Sequence, residues 1–186
     1  MSKTKKFTFN LDNNEEQPVS AGGVLFYRKS KKSIDLLLVS SRGMFEDLGG
    51  RVDAADKTIF ETVSREVKEE SNEQFSKSDI LKRVKACDNY IYMARSKYVV
   101  YILPATDEEA KLESSAFGDR EIHDDIARTI KWIPLKKFLQ KEVIEHKLNW
   151  RLKSKQLFDK LKQIENRILS CKSVFSSSED SNGGKE

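Results

Sequence analysis

Three glutamates and an arginine are crowded into one short stretch of the sequence, shortly after a pair of glycines. The stretch Leu48–Asn72 reads LGGRVDAADKTIFETVSREVKEESN and contains Arg65, Glu66, Glu69 and Glu70. Like charges three or four residues apart on a helix repel one another. A hard cation such as Mg²⁺ would offset this repulsion, because it prefers oxygen ligands and often bridges a protein carboxylate to a substrate phosphate. The alternative is a charged helix surface that lies in solvent.

The helix that must carry these side chains begins near Asp56 or Thr58. Thr58 followed three residues later by Glu61 fits a capping box, and Asp56 is an alternative N-cap. At about 100° per residue, the apolar stripe and the three glutamates are centred roughly 80° apart, so the glutamates lie at the rim of the core. The stripe consists of Ile59, Phe60, Val63 and Val67. This placement favours a half-buried carboxylate site over a solvated surface.

The glycine pair before this helix allows the backbone to approach a ligand closely. Glycine has no side chain, so Gly50 could present its carbonyl oxygen to a metal ion or its amide to a phosphate. Together with the glutamates, this arrangement predicts a site for a metal ion and a phosphate.

The elements around this stretch predict an α/β fold. Residues 19–28 and 33–42 are rich in apolar residues and predict two strands joined by a basic turn. Residues 44–56 are expected to form a loop, and NYIYMAR with KYVVYILPA predicts a hairpin. Residues 106–124 are expected to form a polar loop, and 127–135 predict a last strand.

The rest of the chain predicts one domain with flexible ends. Residues 1–17 are expected to be a flexible lead-in, 18–170 the folded domain, and 171–186 a disordered Ser-rich tail. Within the domain, residues 135–170 are predicted to be helical. The apolar stripe of this segment is formed by Leu157, Leu161, Ile164 and Ile168. This stripe predicts a helix packed on the sheet, or alternatively a helix that joins two copies in a homodimer.

Composition limits the classes of partner and compartment. The net charge of +4 does not mark a nucleic-acid binder, but residues 131–170 carry eleven Lys or Arg against four Asp or Glu. This basic segment permits an RNA partner; the alternative is a solvated helix face. Cys87 and Cys171 show neither metal-site nor disulfide spacing, which favours a reducing compartment. We find no signal peptide or membrane span and expect a cytoplasmic or nuclear protein without a membrane partner.

The stretch from Gly50 to Asn72 resembles the Nudix box, G-x5-E-x7-R-E-U-x-E-E-x-G-U, where U is a bulky aliphatic residue. Gly50 matches the first glycine, and REVKEE beginning at Arg65 matches R-E-U-x-E-E without a gap. One extra residue between these positions leaves either Asp56 or Lys57 in place of the middle glutamate. Asn72 replaces the closing glycine; after glycine, asparagine is the residue that best tolerates a left-handed helix end.

The resemblance implies an α/β/α sandwich around a mixed sheet, here with an additional C-terminal helical segment. It also implies metal-dependent attack of water on a diphosphate linkage, with Mg²⁺ or Mn²⁺ as the metal. Glu69 and Glu70 would be the principal ligands, helped by the backbone of Gly50. Glu66 would be a ligand or the base that activates water, and Arg65 would orient the glutamates through salt bridges.

The resemblance further implies an acid in a downstream loop and a phosphorylated small-molecule substrate. The candidate acids are Glu113, Glu121 and Asp124, with His123 nearby. Substrates of the family include nucleotide sugars, dinucleoside polyphosphates, diphosphoinositol polyphosphates and mRNA caps. The basic residues expected around the cleft are Arg42, Arg51, Arg95 and Lys97. A catalytically silent module that binds nucleotide or RNA is the rival interpretation.

Overall fold

Apolar residues along the longer strands build a sheet that is covered on both faces. The computed structural model describes residues 7–10 and 16–170. The strands are Phe7–Asn10 (β1), Glu16–Val19 (β2), Ala21–Lys29 (β3), Ile34–Ser41 (β4), Met44–Glu46 (β5), Leu48–Arg51 (β6), Tyr90–Met93 (β7), Tyr98–Pro104 (β8) and Thr129–Pro134 (β9). The helices are Ile59–Glu70 (α1), Lys77–Lys85 (α2), Leu135–Phe138 (α3), Lys141–His146 (α4) and Lys155–Ser170 (α5). Short 3₁₀ turns lie at Glu109–Lys111, Ser114–Phe117 and Trp150–Leu152.

Strand β3 lies at the centre of a mixed sheet. It pairs in parallel with β8 on one edge and antiparallel with β4 and β6 on the other edge. Strand β6 pairs with residues 21–24 of β3, whereas β4 pairs with residues 27–29. Strand β7 pairs with β8, and both β5 and β9 pair with β4. Because β4 and β6 share one edge of β3, the sheet divides between them beside the glycine pair.

Helices α1 and α2 cover one face of the sheet, and α3 to α5 cover the other. In the first core, the strand residues Val24, Phe26, Leu37 and Val99 cluster with the helix residues Ile59, Val63, Val67 and Ile80. In the second core, Leu25, Leu36, Leu38 and Val100 cluster with Leu135, Phe138, Leu157 and Leu161. Successive strand residues point to opposite faces, so β3 and β4 contribute to both cores. The predicted α/β/α sandwich around a mixed sheet is therefore confirmed.

The glycine pair accounts for the main error in the strand prediction. The predicted strands and the hairpin are present, but residues 44–56 contain the short strands β5 and β6 and are not wholly a loop. In β6, Gly49 pairs with Gly23 and Gly50 pairs with Gly22. Glycine is depleted in strands, so a pattern based on side chains does not reveal a ladder made by four glycines.

The ends of the chain differ in part from the prediction. Strand β1 and the start of β2 lie inside the predicted flexible segment 1–17, where they form a two-stranded antiparallel sheet through backbone pairing. The predicted tail 171–186, including Cys171, lies outside the described residues, and Cys87 carries a free thiol. The stripe of α5 is buried against the sheet at Leu157, Leu161 and Ile164, which confirms the predicted packing. None of the helices described between residues 16 and 170 is both long and apolar enough to span a bilayer.

Candidate active site

Helix α1 begins where the sequence predicts, with Thr58 as its N-cap. The Thr58 hydroxyl accepts a hydrogen bond from the Glu61 amide at 3.2 Å, which satisfies one of the free N–H groups at the helix start. The Glu61 carboxylate accepts from the Lys57 amide at 2.9 Å. Residues Ile59, Val63 and Val67 are buried. This start and this buried stripe fix the position at which the glutamates of the last turns emerge.

Glu66 occupies the space directly beside Gly50. A β-carbon at Gly50 would lie 2.3 Å from Oε2 of Glu66, so a side chain there would displace the carboxylate. Burial raises the pKa of Glu66 to about 7, with Arg65 lowering it and both Glu69 and Glu121 raising it. The glycine therefore allows strand β6 and helix α1 to approach closely enough for a carboxylate to lie against the backbone.

Glu70 is held by the other glycine of the pair. The amide of Gly49 donates to Oε2 of Glu70 at 2.7 Å. Burial raises the pKa of Glu70 well above its usual value, and Glu66 and Asp47 raise it further, while the Gly49 hydrogen bond lowers it. Asp47 is itself buried and accepts a hydrogen bond from the Tyr98 hydroxyl at 2.7 Å. Several acids thus share an environment in which a positive charge would be strongly stabilising.

Arg65 binds the carboxylates from one side. Its Nη1 lies 2.9 Å from Oε1 of Glu66 and 2.9 Å from Oε2 of Glu69. Its Nη2 lies 3.0 Å from Oδ2 of Asp56 and donates to the carbonyl of Arg51 at 3.0 Å. One planar guanidinium therefore contacts two of the glutamates and also joins helix α1 to the end of β6. Such a fork of donors is particular to arginine.

Of the two candidates for the middle-glutamate position, Asp56 is the one that contacts Arg65. Both carboxylate oxygens of Asp56 accept from Arg65, at 3.2 Å from Nε and 3.0 Å from Nη2. Asp56 also accepts from the Thr62 hydroxyl and the Asp53 amide, each at 2.9 Å. Burial raises the pKa of Asp56, but these hydrogen bonds outweigh it and hold the pKa below its usual value. Lys57 is exposed, so the extra residue of the loop is accommodated before Asp56 reaches Arg65.

Of the three downstream acids, Glu121 is the one that lies in the cluster. It lines a cavity of about 200 Å³ together with Glu70. Burial raises the pKa of Glu121, as do the charges of Asp124 and Glu69. Asp124 and His123 are exposed and act on Glu121 only electrostatically in the described structure. Glu113 is exposed and precedes the 3₁₀ turn at Ser114–Phe117, away from the glutamates.

Two residues of the site were not foreseen from the sequence. Arg128 is buried, donates to the backbone carbonyl of Glu70, and lines the same cavity as Glu70 and Glu121. Asp47 lies beside Gly23, the glycine that pairs with Gly49 in the sheet; a β-carbon on Gly23 would lie 2.4 Å from Oδ2 of Asp47. Neither residue belongs to a motif, and only the packing of the sheet brings them to helix α1. Their burial, which is rare for charged residues, is the signal that marks them.

The predicted substrate-binding cations separate into three groups. Arg51 and Lys97 line one cavity of about 440 Å³, together with Arg151 and the exposed Trp150. Arg42 lines the smaller cavity that contains Glu70 and Glu121. Arg95 is exposed in the β7–β8 turn and lines neither of these cavities. The structure thus brings two of the four cations together next to the glycine pair.

The carboxylates fit a hard divalent cation. Within residues 16–170, no group of three or more His, Cys, Asp or Glu side chains is gathered as a ready metal site. Glu66 and Glu69 are each bound to Arg65, and Glu70 to the Gly49 amide. Glu66 and Glu70 nevertheless lie against the backbone of the glycine pair. Burial and neighbouring acids raise the pKa of both, so a bound cation would stabilise their charged forms. An all-oxygen donor set suits Mg²⁺ or Mn²⁺ rather than Zn²⁺ or Cu²⁺.

The basic segment 131–170 lies largely away from this cluster. Lys136 and Lys162 line a separate cavity of about 520 Å³, with Lys32 beside them. Arg151 is the member of the segment that reaches the cavity next to Gly50. The RNA partner and the homodimer both stay predictions.

The chain is similar to known proteins in sequence and in fold. The sequence model of the NUDIX domain matches residues 16–153. An Ap4A hydrolase binary complex from C. elegans is 20% identical, with 82% of this chain and 98% of that chain covered and a TM-score of 0.45. The NUDIX domain of Shewanella oneidensis NrtR, complexed with ADP ribose, is 16% identical, with 83% and 92% covered and a TM-score of 0.45. A mutT/nudix family protein from Listeria innocua is 15% identical, with 83% and 95% covered and a TM-score of 0.39. No curated protein sequence matches the chain.

Proposed function

The chain belongs to the Nudix family, and from this membership we propose that it is a divalent-metal-dependent hydrolase that cleaves a diphosphate linkage. The observation that carries the proposal is the meeting of Glu66 and Glu70 with the glycine pair. Glu66 lies where a β-carbon of Gly50 would be, and Glu70 accepts from the Gly49 amide at 2.7 Å. A module that only binds nucleotide or RNA does not require these partly buried like charges, because they lower stability unless a cation is bound.

Some residues of the cluster would bind the metal directly, and others would hold those ligands in position. Glu66, Glu69 and Glu70, with the carbonyl of Gly50, are the proposed ligands. When bound, Mg²⁺ or Mn²⁺ stabilises charge on the phosphates and lowers the pKa of coordinated water. Arg65 keeps Glu66 and Glu69 in place, since its Nη1 lies 2.9 Å from an oxygen of each. Because these carboxylates are already in place before substrate binds, less reorganisation energy is needed to reach the transition state.

Proton transfer is assigned to the acids that border the cluster. The pKa of Glu66 lies at about 7 because its carboxyl is buried, which suits a group that takes a proton near neutral pH. Glu121 faces Glu70 across the smaller cavity, and no salt bridge fixes its carboxylate among the described residues. We assign Glu121 to the site as the additional acid, and Glu66 as either a ligand or the base.

The substrate group is expected to occupy the larger cavity next to Gly50. Its volume of about 440 Å³ falls in the range of small-molecule sites. Arg51, Lys97 and Arg151 supply positive charge for phosphates, and Trp150 is 57% exposed beside them. An exposed aromatic face next to cations supports a nucleoside diphosphate derivative, because a base can stack on it. Diphosphoinositol polyphosphates and mRNA caps are the alternative substrates.

The proposal is tested by following product release from a panel of diphosphates with Mg²⁺ or Mn²⁺. The panel contains a dinucleoside polyphosphate, a nucleotide sugar, a cap dinucleotide and a diphosphoinositol polyphosphate. Glu70→Gln should reduce turnover by about 10³-fold, the magnitude expected when a transition-state charge term is lost. Glu61→Gln is the matched control on the same helix, because Glu61 bonds the Lys57 amide and not the cluster. Absence of cleavage by the unmodified protein, or full activity of Glu70→Gln, would overturn the proposal.

A further inference from the structure

Asn72 ends helix α1 in a conformation that normally selects glycine. Its φ angle is 51°, which lies in the left-handed region that glycine adopts without cost and asparagine tolerates better than other residues. The Nudix pattern has glycine at this position. Glycine would adopt this backbone conformation at a lower cost than asparagine. Any advantage of Asn72 must therefore come from the contacts of its side chain.

The side chain of Asn72 bonds one loop through both amide hydrogens and the carbonyl oxygen. Nδ2 donates to the carbonyls of Phe117 and Arg120, each at 2.8 Å. Oδ1 accepts from the amide of Ile122 at 3.1 Å. Both donors and the acceptor thus bind the backbone of residues 117–122, which we call the acid loop. Glycine at position 72 could make none of these bonds.

The acid loop carries Glu121 between two of these anchors. Glu121 follows Arg120, whose carbonyl is bound by Asn72, and precedes Ile122, whose amide is bound by Asn72. Its own amide donates to the carbonyl of Ile126 at 2.9 Å. The loop is otherwise exposed at Arg120 and Ile122, and a segment with few buried contacts opens readily. The position of the Glu121 carboxylate therefore depends on the bonds made by Asn72.

Arg128 supports the other end of the acid loop. It donates to the carbonyl of Phe117 at 3.2 Å and also to the carbonyl of Glu70. Asn72 and Arg128 thereby both join the last turn of α1, which carries Glu69 and Glu70, to the loop. Glu70, Glu121 and Arg128 line one cavity, so the loop and the helix end form a single site.

We propose that Asn72 is a positioning residue that holds Glu121 against the carboxylates of helix α1. This inference rests on the proposed function of the cluster. In this role Asn72 would contact neither metal nor substrate, and would act through the backbone of Arg120 and Ile122 on either side of Glu121. Asparagine in place of the family's glycine then adds three hydrogen bonds to the acid loop, which glycine could not make.

Asn72→Gly separates this role from a structural one. Glycine adopts the required φ without strain, so the helix end should persist while the three bonds are lost. We expect activity and Mn²⁺ affinity to fall by about tenfold to a hundredfold, the usual effect of losing a residue that orients a ligand. Asn72→Asp should be worse, because a carboxylate would face the carbonyls of Phe117 and Arg120 without a proton to donate.

Glu73→Gly is the matched control. Glu73 is the next residue, is exposed, also has a positive φ, of 65°, and forms an ion pair with Lys68 at 3.1 Å. Its replacement removes a surface ion pair and leaves the Asn72 contacts in place. We expect unchanged Mn²⁺ affinity and activity. If Glu73→Gly lowers both as much as Asn72→Gly does, the helix end and not the Asn72 side chain is responsible, and the proposal fails.

A double-mutant cycle with Glu121→Gln decides whether Asn72 acts through Glu121. When Glu121→Gln is already present, adding Asn72→Gly should change activity and Mn²⁺ affinity by less than about twofold, since independent effects would instead add. Additive losses, or Glu121→Gln with wild-type values, would overturn the proposal. Mn²⁺ affinity, measured by electron paramagnetic resonance, is read without any turnover. Failure of the proposed hydrolase activity is thus distinguishable from failure of the Asn72 assignment.

Discussion

A β-carbon on Gly50 would lie 2.3 Å from Oε2 of Glu66. The neighbouring glycine meets a different obstacle, because a β-carbon on Gly49 would lie 2.3 Å from the α-carbon of Gly23 and 2.5 Å from the carbonyl oxygen of Gly22. The clash at Gly50 is with the end of a flexible side chain, whereas the clash at Gly49 is with backbone. Gly50 therefore makes room for a carboxylate of the site, whereas Gly49 makes room for the neighbouring strand.

We predict that Gly50→Ala impairs activity more than stability and that Gly49→Ala does the reverse. The methyl group at position 50 should push aside the Glu66 carboxylate, and a misplacement of about 1 Å can cost roughly 10²-fold in rate. The methyl group at position 49 must move the β3–β6 ladder, and such overpacking costs about 1–3 kcal/mol of unfolding free energy. Thermal unfolding and steady-state kinetics of both variants check this. Equal loss of melting temperature in the two would contradict it.

The sequence was informative about the helix and less so about its surroundings. Local signals carried the prediction of α1: a Thr58 cap, a stripe at helical spacing, and glutamates at its rim. Glu121 could not be distinguished from Glu113 or Asp124, because all three lie in polar loop sequence with no periodicity. Its place beside Glu70 depends on contacts between residues far apart in the chain.

The same reason explains why Arg128 and Asp47 were missed. Arg128 lies just before β9, and Asp47 lies between β5 and β6, so each reaches α1 only through the order of strands in the sheet. The sequence left Asp56 and Lys57 as alternatives, because the extra loop residue shifts the count. In the structure, the Asp56 carboxylate accepts from both Nε and Nη2 of Arg65.

A second prediction concerns the fork of Arg65. Arg65→Lys keeps the charge but offers one nitrogen in place of a planar fork, so the bonds to Asp56, Glu66 and Glu69 cannot all be kept. We expect kcat/KM to fall by about tenfold to a hundredfold and stability by about 1–3 kcal/mol, measured by kinetics and urea unfolding.

The matched control for this variant is Arg83→Lys. Arg83 lies 2.7 Å from an oxygen of Glu109 and 3.2 Å from one of Asp79, in an ion-pair network remote from the cluster. Its replacement should reduce stability and leave kcat/KM unchanged. If Arg65→Lys behaves in the same way, Arg65 only balances charge or supports the fold.

A third prediction follows from the lowered pKa of Asp56. Burial raises this pKa, but hydrogen bonds from Arg65, the Asp53 amide and Thr62 more than offset it. Because the folded pKa lies below the unfolded value of about 3.9, the stabilisation is complete above that value and is lost as pH falls through the folded pKa. The unfolding free energy of the Asp56→Asn variant should therefore be lower than that of the unmodified protein, by an amount that is constant near neutral pH. The difference should narrow in acid, since the variant has no carboxylate to protonate. Urea unfolding from neutral pH into this acidic range checks the prediction, and a difference independent of pH would contradict it.

The last prediction concerns the cations of the larger cavity. Arg51 and Lys97 line it on the side of Gly50, where they would meet phosphates in both the ground state and the transition state. Removing such uniform binding raises KM and leaves kcat nearly unchanged. Arg51→Ala should retain the bond from Arg65, because that bond is made to the backbone carbonyl of Arg51.

Each of Arg51→Ala and Lys97→Ala should raise KM for the best substrate by about tenfold, as expected for loss of a hydrogen bond to a charged group. Lys136→Ala is the control, because Lys136 lines a different cavity and should leave both constants unchanged. A fall in kcat with constant KM would instead place Arg51 or Lys97 in contact with charge that develops only in the transition state. An effect of Lys136→Ala as large as the other two would mean that general surface charge, not this cavity, attracts the substrate.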